Sequence, residues 1–420
     1  MGEANEDTLA KWSKDHFGGG MCAASVAKAF TADANLKRKI RRHFTNLGFT
    51  KANDGTLILP GVGKDAVRKL HSGQRAERLS IGAQFLLRST PKLVKYFANG
   101  DEIDPSKVEL ALIRVEKKSE DSELFRLASM TWSVPVSVGF GRRLRYLVWD
   151  QHHGRLAGIV ALGDPVFNLS VRDNLIGWDT ASRGKRLVNV LDAYVLGAVP
   201  PYNMLLVGKA IACLVRSQEV YDDFSEAYGA TVGLISGKRK RANLLAVTTS
   251  SSMGRSSIYN RLRIDGESYF LPIGYTVGWG HFHVTDRLFV EMRDYLRIKK
   301  HRYADQHKYG EGPNWRLRTI RAALLELGIN EAVLRHGIQR EVYLCTLAEN
   351  ALEILKSGKG TPDISRLETV QEISDKARAR WIVPRAERRP EFKAWRREEI
   401  LNLIHGNPVA KGSVAVSRTA

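Results

Sequence analysis

Two apolar stretches separated by a double proline stand out in the chain. From Asn189 to Val215 it reads NVLDAYVLGAVPPYNMLLVGKAIACLV. The first stretch has the length of a buried strand, the break falls at Pro200-Pro201-Tyr202-Asn203, and the second has the length of an apolar helix carrying Lys209 near its start. A strand end, tight loop and helix start commonly hold a phosphate or substrate. The same pattern also serves as a plain core connection. Upstream, RLRYLVWDQHHGRLAGIVALGDP (143–165) alternates on both sides of Gln151-His152-His153-Gly154 and predicts a hairpin. Downstream, GATVGLISGKRKRANLLAVTTSSSMGRSSIYNRLRI predicts a strand pair and a short helix after Gly254. SYFLPIGYTVGWGHFHV adds two strand-like pieces.

The flanks carry a different period. Leu36, Ile40, Phe44 and Leu47 recur at helical spacing among Lys37, Arg38, Lys39, Arg41 and Arg42, and residues 63–79 repeat the style. Residues 317–358 follow a 3.6 period broken by Gly328, Gly337 and Gly358, and a second basic, helix-rich segment runs to 404. The expected organisation is a leader (1–34), a basic helical N-terminal domain (35–107), an α/β core (108–300), a helical C-terminal region (301–404) and a disordered tail (405–420).

Charge sharpens this picture. Lys plus Arg number 65 against 45 Asp plus Glu, a net charge of +20, and clustered cations of that excess favour a polyanionic partner, nucleic acid first. Cys22, Cys213 and Cys345 are isolated, which excludes a disulfide framework and a structural zinc site; Cys213 and Cys345 are expected in apolar helices. No apolar run reaches the ~20 residues of a membrane span, and the polar, acidic start is unlike a secretory signal. A cytoplasmic location without a membrane partner is expected.

The candidate chemistry falls into four groups. Lys238, Arg239, Lys240, Arg241, Arg255 and Arg261 lie in a stretch without acidic residues, beside Gly254, Ser256, Ser257 and Asn260. Short hydroxyls and amides near a glycine bind phosphate oxygens; they equally make a Ser-rich capping loop beside a solvated basic hairpin. His281 and His283, at i and i+2 of an expected strand, would share a face and with a third ligand could hold a divalent metal. Two such histidines are more often structural. Asp150, Asp164, Asp173 and Asp192 invite a two-metal phosphodiester reading, against turn-closing for Asp164 and an ion pair for Arg172-Asp173. Asp192, inside an apolar strand, must find a partner or shift its pKa. Finally, Tyr194, Tyr202, Asn203 and Lys209 are polar exceptions in an apolar element and are expected to wall a pocket. No Walker loop is present, so ATP hydrolysis would come from a partner.

Six motifs in order carry a resemblance: WSVPVSVGFGRRLRYLVWD, GIVALGDPVFNLSVRD, LDAYVLGAVPPYN, GRSSIYNRLRI, IGYTVGWGHFHV and PNWRLRTIRAALLELGI followed by LRHGIQREVY. Over about residues 35–358 the chain resembles the DruA family, known from Druantia anti-phage defence systems. The resemblance implies bacterial antiviral defence, often beside a helicase-type partner, and brings no catalytic mechanism with it. The order hairpin, strand, loop, helix, strand, helix is also similar to the N-acetyltransferase core. There PPYNMLLVGKA would be the coenzyme A loop and Tyr259 the acid that protonates the leaving thiolate. The loop departs from that pattern, because only Gly208 is available for close backbone approach to phosphate. The expectation is therefore a mixed-sheet α/β core of N-acetyltransferase-like layout flanked by basic helical segments. Its expected function is a nucleic-acid-binding defence component, with DNA as partner. The alternative is a metal-dependent nuclease or DNA strand-transfer enzyme using Asp192, Asp164 or the His281/His283 pair; a degenerate acyltransferase using Tyr259 is a third reading.

Overall fold

The alternating stretches pair into one seven-stranded sheet. A computed structural model describes residues 31–58, 61, 63–136, 141–232, 237, 239–305 and 314–406. The sheet strands are β1 (Leu110–Arg114), β2 (Arg143–Asp150), β3 (Arg155–Gly163), β4 (Val190–Ala198), β5 (Ala246–Ser250), β6 (Leu271–Tyr275) and β7 (Glu341–Thr346). In space they run β6-β7-β5-β4-β3-β2-β1. All neighbours are antiparallel except β4 and β5, which pair in parallel only through Val190↔Ala246, Leu191↔Val247 and Asp192↔Thr248. β4 continues to Ala198 beyond that register, so the two strands diverge just past Asp192.

A parallel pair needs a long crossover. Here it contains helix α4 (Val207–Leu214) and helix α5 (Gln218–Tyr228), the latter capped by Ser217 Oγ accepting from Val220 N. These helices and the later helix Val370–Ala377 cover one sheet face, burying Leu191, Val247, Tyr343 and Cys345. Over β2–β4, the other face is covered by the long helix Lys64–Leu93 and the helix Glu120–Ser129, through Phe85, Leu93, Leu124 and Phe125, with Trp395 and Ile400. A satellite core joins the first helix, Ala32–Asn46, to the helices Asp286–Ile298 and Trp315–Glu326, burying Leu36, Ile40 and Phe44 against Leu288, Met292 and Ile320. The C-terminal basic segment packs on both faces of the sheet, with Ile373 and Trp381 on one and Trp395 and Ile400 on the other beside the helix Lys64–Leu93.

The mixed α/β class holds, with three differences in detail. The segment expected to be helical through 358 is helical at Trp315–Glu326 and again at Ala351–Ser357, but Glu341–Thr346 between them is the strand between β5 and β6, with Cys345 in it. A strand buried on both faces reads as a continuous apolar run, which periodicity cannot separate from a buried helix. Second, His281–Val284 form a turn closed by Val284 N to His281 O (3.0 Å), not a strand, so the shared-face argument for His281 and His283 does not apply. Third, Arg239–Arg241 pair with Ala230–Val232 in a two-stranded ribbon outside the main sheet. Lys238, the leader to residue 30 and the tail from 407 lie outside the described residues.

Candidate nucleic-acid interface at the strand divergence

Asp192 is the last β4 residue in register with β5, and its cross-strand partner is Thr248. Thr248 Oγ1 donates to Asp192 Oδ1 at 2.8 Å, and on the next residue Thr249 Oγ1 donates to Ala193 O at 2.8 Å. Two adjacent hydroxyls therefore stitch the point where the ladder ends. Burial pushes the Asp192 carboxyl up to about 6, against the Thr248 hydrogen bond and the positive charge of Arg172. Tyr259 reaches the same point from the turn Tyr259–Arg261, its ring packed 5.1 Å from those of Phe270 and Tyr343. Burial pushes its phenol up to about 12, opposed by a hydrogen bond with Thr249 and reinforced by the charge of Asp192. Thr248 holds the carboxyl and the adjacent Thr249 the phenol, so Asp192 and Tyr259 meet the same junction through successive strand residues, with no direct hydrogen bond between them among the described residues.

Cations crowd the outer side of this junction. Lys209, half-buried in the second position after the α4 start, has its pKa lowered by burial first, then by the positive charges of Arg380, Arg261 and Arg385. Its ammonium lies 5.4 Å from the Trp381 ring. Arg380 and Trp381 come from a π-helical turn, Arg378–Ile382, a distortion frequent at functional sites. Arg385 donates to Met204 O at 3.1 Å, anchoring this turn to the loop before α4. Among the described residues none of Lys209, Arg261, Arg380 and Arg385 forms an ion pair with a carboxylate. Like charges held this close repel one another, and an anion between them would relieve that repulsion.

The other sequence candidates have definite places. Gly254 adopts φ 85° in the loop bonded to β7, where Glu341 N donates to Gly254 O (3.2 Å). Ser256 Oγ accepts from Ile258 N and Tyr259 N at 3.1 and 3.3 Å, so it closes the turn that carries Tyr259. Asn260 Nδ2 donates to the buried Glu341 carboxylate (3.1 Å), which also accepts from the hydroxyls of Tyr275 and Tyr343. Arg255, Ser257 and Arg261 are exposed beside them. Asp164, next to the cross-strand partner of Asp192, accepts from Arg142 N and Nε at 3.1 and 2.7 Å. Arg172, fully buried, grips Asp173 at 2.7 Å, as the ion-pair reading expects. His283 is buried against Phe44 and Phe49 in the satellite core, and burial lowers both His281 and His283 to about 4. Of the expected pocket wall, Tyr202 is fully buried and donates to Asp150, Asn203 is exposed, Tyr194 is half-buried on the opposite face, and Lys209 joins the cations. Among the described residues no three His, Cys, Asp or Glu side chains come together as a metal-binding group, and no helix is long and apolar enough to cross a membrane.

Residues 62–357 match the family model for Druantia protein DruA. The chain is also 57% identical over 372 residues to Druantia protein DruA of Escherichia coli (strain UMEA 4076-1), covering 89% of this chain and 92% of that one. The chain belongs to the DruA family. As a DruA-family member it is a component of the Druantia anti-phage defence system. No solved structure matches it, so the N-acetyltransferase-like layout gains no support from structural neighbours. Sequence reading missed Arg380, Arg385 and Trp381 of the cation cluster, which lie more than 100 residues from Lys209 and join it only through packing of the π-helical turn on the α4 loop.

Proposed function

We propose that this DruA-family protein is the nucleic-acid-binding component of its defence system, acting on DNA in the cytoplasm beside a helicase-type partner. The observation that carries the reading is the crowding of Lys209, Arg261, Arg380 and Arg385 with no carboxylate partner among the described residues. Phosphates would relieve that repulsion and release counterions. The test is DNA affinity across a salt series, by fluorescence anisotropy. Affinity is expected to fall steeply with salt, and Lys209→Gln/Arg261→Gln/Arg380→Gln to flatten the log–log slope by roughly 2–3, about one per lost phosphate contact. Affinity independent of salt, or a slope unchanged in the variant, rejects it.

A second reading is enzymatic, favoured by the Asp192 carboxyl at the strand divergence, held by the single Thr248 hydroxyl and raised by burial to about 6. In it the protein cuts or transfers a phosphodiester strand with a divalent ion supplied from solution. Asp192→Asn is then expected to abolish metal-dependent cutting and leave DNA binding intact; cutting retained in the variant removes this reading.

A further inference from the structure

On the sheet face opposite α4, a groove of ≈ 480 Å³ opens between β2, the helix Glu120–Ser129 and the long helix Lys64–Leu93. Its charged lining is Arg78, Lys117, Lys118, Arg126, Arg143 and Arg145, with no Asp or Glu. A solvated basic face usually finds carboxylates nearby, and on these and the adjoining segments other arginines do. Arg88 pairs with Glu123, Arg114 with Asp223 and Glu226, and Arg142 with Asp164. The six groove cations form no ion pair among the described residues. Arg143 and Arg145 sit at i and i+2 of β2, on one face. Arg145 lies over the Phe125 ring (5.5 Å) and Arg126 over the Phe85 ring (4.1 Å), which holds both guanidinium groups on the wall.

The groove also has an aromatic element. The β3–β4 register shifts between Ala161 and Leu162, leaving Tyr194 as the extra residue of a bulge, and bulges re-aim side chains. Tyr194 enters the groove lining across Gly163, where a Cβ would meet its ring at 3.1 Å. Arg143, Gly163 and Asp192 are successive cross-strand neighbours, so the inner end of the groove adjoins Asp192.

We propose that this groove is a second site, which takes a single-stranded nucleic-acid segment: backbone phosphates on the six cations and a base stacked on Tyr194. The volume suits one or two nucleotides and excludes a duplex about 20 Å across, and aromatic stacking within a cationic groove is the mode of single-strand binders. The proposal rests on the nucleic-acid reading above.

The test uses the full chain and a labelled oligo-dT of about a dozen residues. Arg143→Gln/Arg145→Gln is expected to weaken binding at least about tenfold. The exposed pair Lys117→Gln/Lys118→Gln should weaken it several-fold without any bearing on folding. Tyr194→Ala should weaken it about tenfold, with Tyr194→Phe restoring it, since stacking needs the ring and not the hydroxyl. Unaltered oligo-dT affinity in both charge variants overturns the groove, and if Lys209→Gln/Arg380→Gln meanwhile loses DNA, the proposed function stands without it. Competition by a duplex as strong as by oligo-dT, or by polyglutamate as strong, also overturns it, the latter in favour of an acidic protein partner. Failure of the unaltered chain to bind any nucleic acid removes the broader reading together with this one.

Discussion

Asp150 ends β2 and Asp192 lies near the start of β4, across opposite ends of the intervening β3, and their surroundings differ in a way that separates scaffold from site. Asp150 is fully buried and accepts from Glu109 N (3.1 Å), His153 Nδ1 (2.6 Å) and Tyr202 OH (2.8 Å). His153 Nε2 in turn accepts from Asp104 N at 3.0 Å, which assigns the tautomer and leaves no part of the network free. Asp192 has one hydroxyl donor, Thr248, and the more distant charge of Arg172. A carboxylate with three donors locks the β2–β3 hairpin to the loop before α4. One with a single donor stays poorly compensated, and its protonation is open to whatever binds beside it.

The contrast breaks if the two aspartates respond alike to substitution. Asp150→Ala strands three buried donors, and about 3–5 kcal/mol of stability should be lost in denaturant titration; a loss below about 1 kcal/mol would contradict the scaffold role. Asp192→Asn should act in the opposite direction. Its folded pKa of about 6 lies above the ordinary 3.8, so its favourable contribution is complete below the unfolded value and is lost as pH rises through 6. The Asn variant should therefore be the more stable by about 3 kcal/mol at pH 7.5, with the gap closing toward pH 4. A gap that does not change with pH sinks the assignment.

Buried bases should give the reverse slope. Burial lowers His71 and His283 to about 4 from 6.5, so their neutral forms support the fold above pH 6.5 and that support is lost as pH falls toward 4. Between pH 7 and 5 each ring should account for about 1–2 kcal/mol, and His71→Phe/His283→Phe should flatten the melting-temperature profile in that window. The smallest expected effect is that of Tyr202→Phe, about 1 kcal/mol and nearly constant with pH, because it removes one donor to Asp150 and leaves the other two.

Much of the local structure was legible in the chain. The alternation around Gln151–Gly154 is the β2–β3 hairpin, the run after the double proline is the buried helix α4 with Cys213 inside it, and the Arg172-Asp173 pair is an ion pair. Asp192 showed itself as a carboxylate inside an apolar strand. The same alternation, RLRYLVWD, also puts Arg143 and Arg145 on one face, a signal for the groove that charge counting alone passed over. The strand at Glu341–Thr346 could not be read this way, because burial on both faces erases its period.

The sequence by itself determined the elements whose pattern repeats every two or 3.6 residues, the basic charge excess and the family. Tertiary structure decided which polar groups are consumed and which are left over. Asp164 found Arg142, Tyr202 and His153 found Asp150, and Asn260 found Glu341, while Lys209, Arg261 and Arg380 converged with no carboxylate partner. Those outcomes depend on side chains from distant segments meeting or missing each other, and a periodicity carries no information about partners that far along the chain.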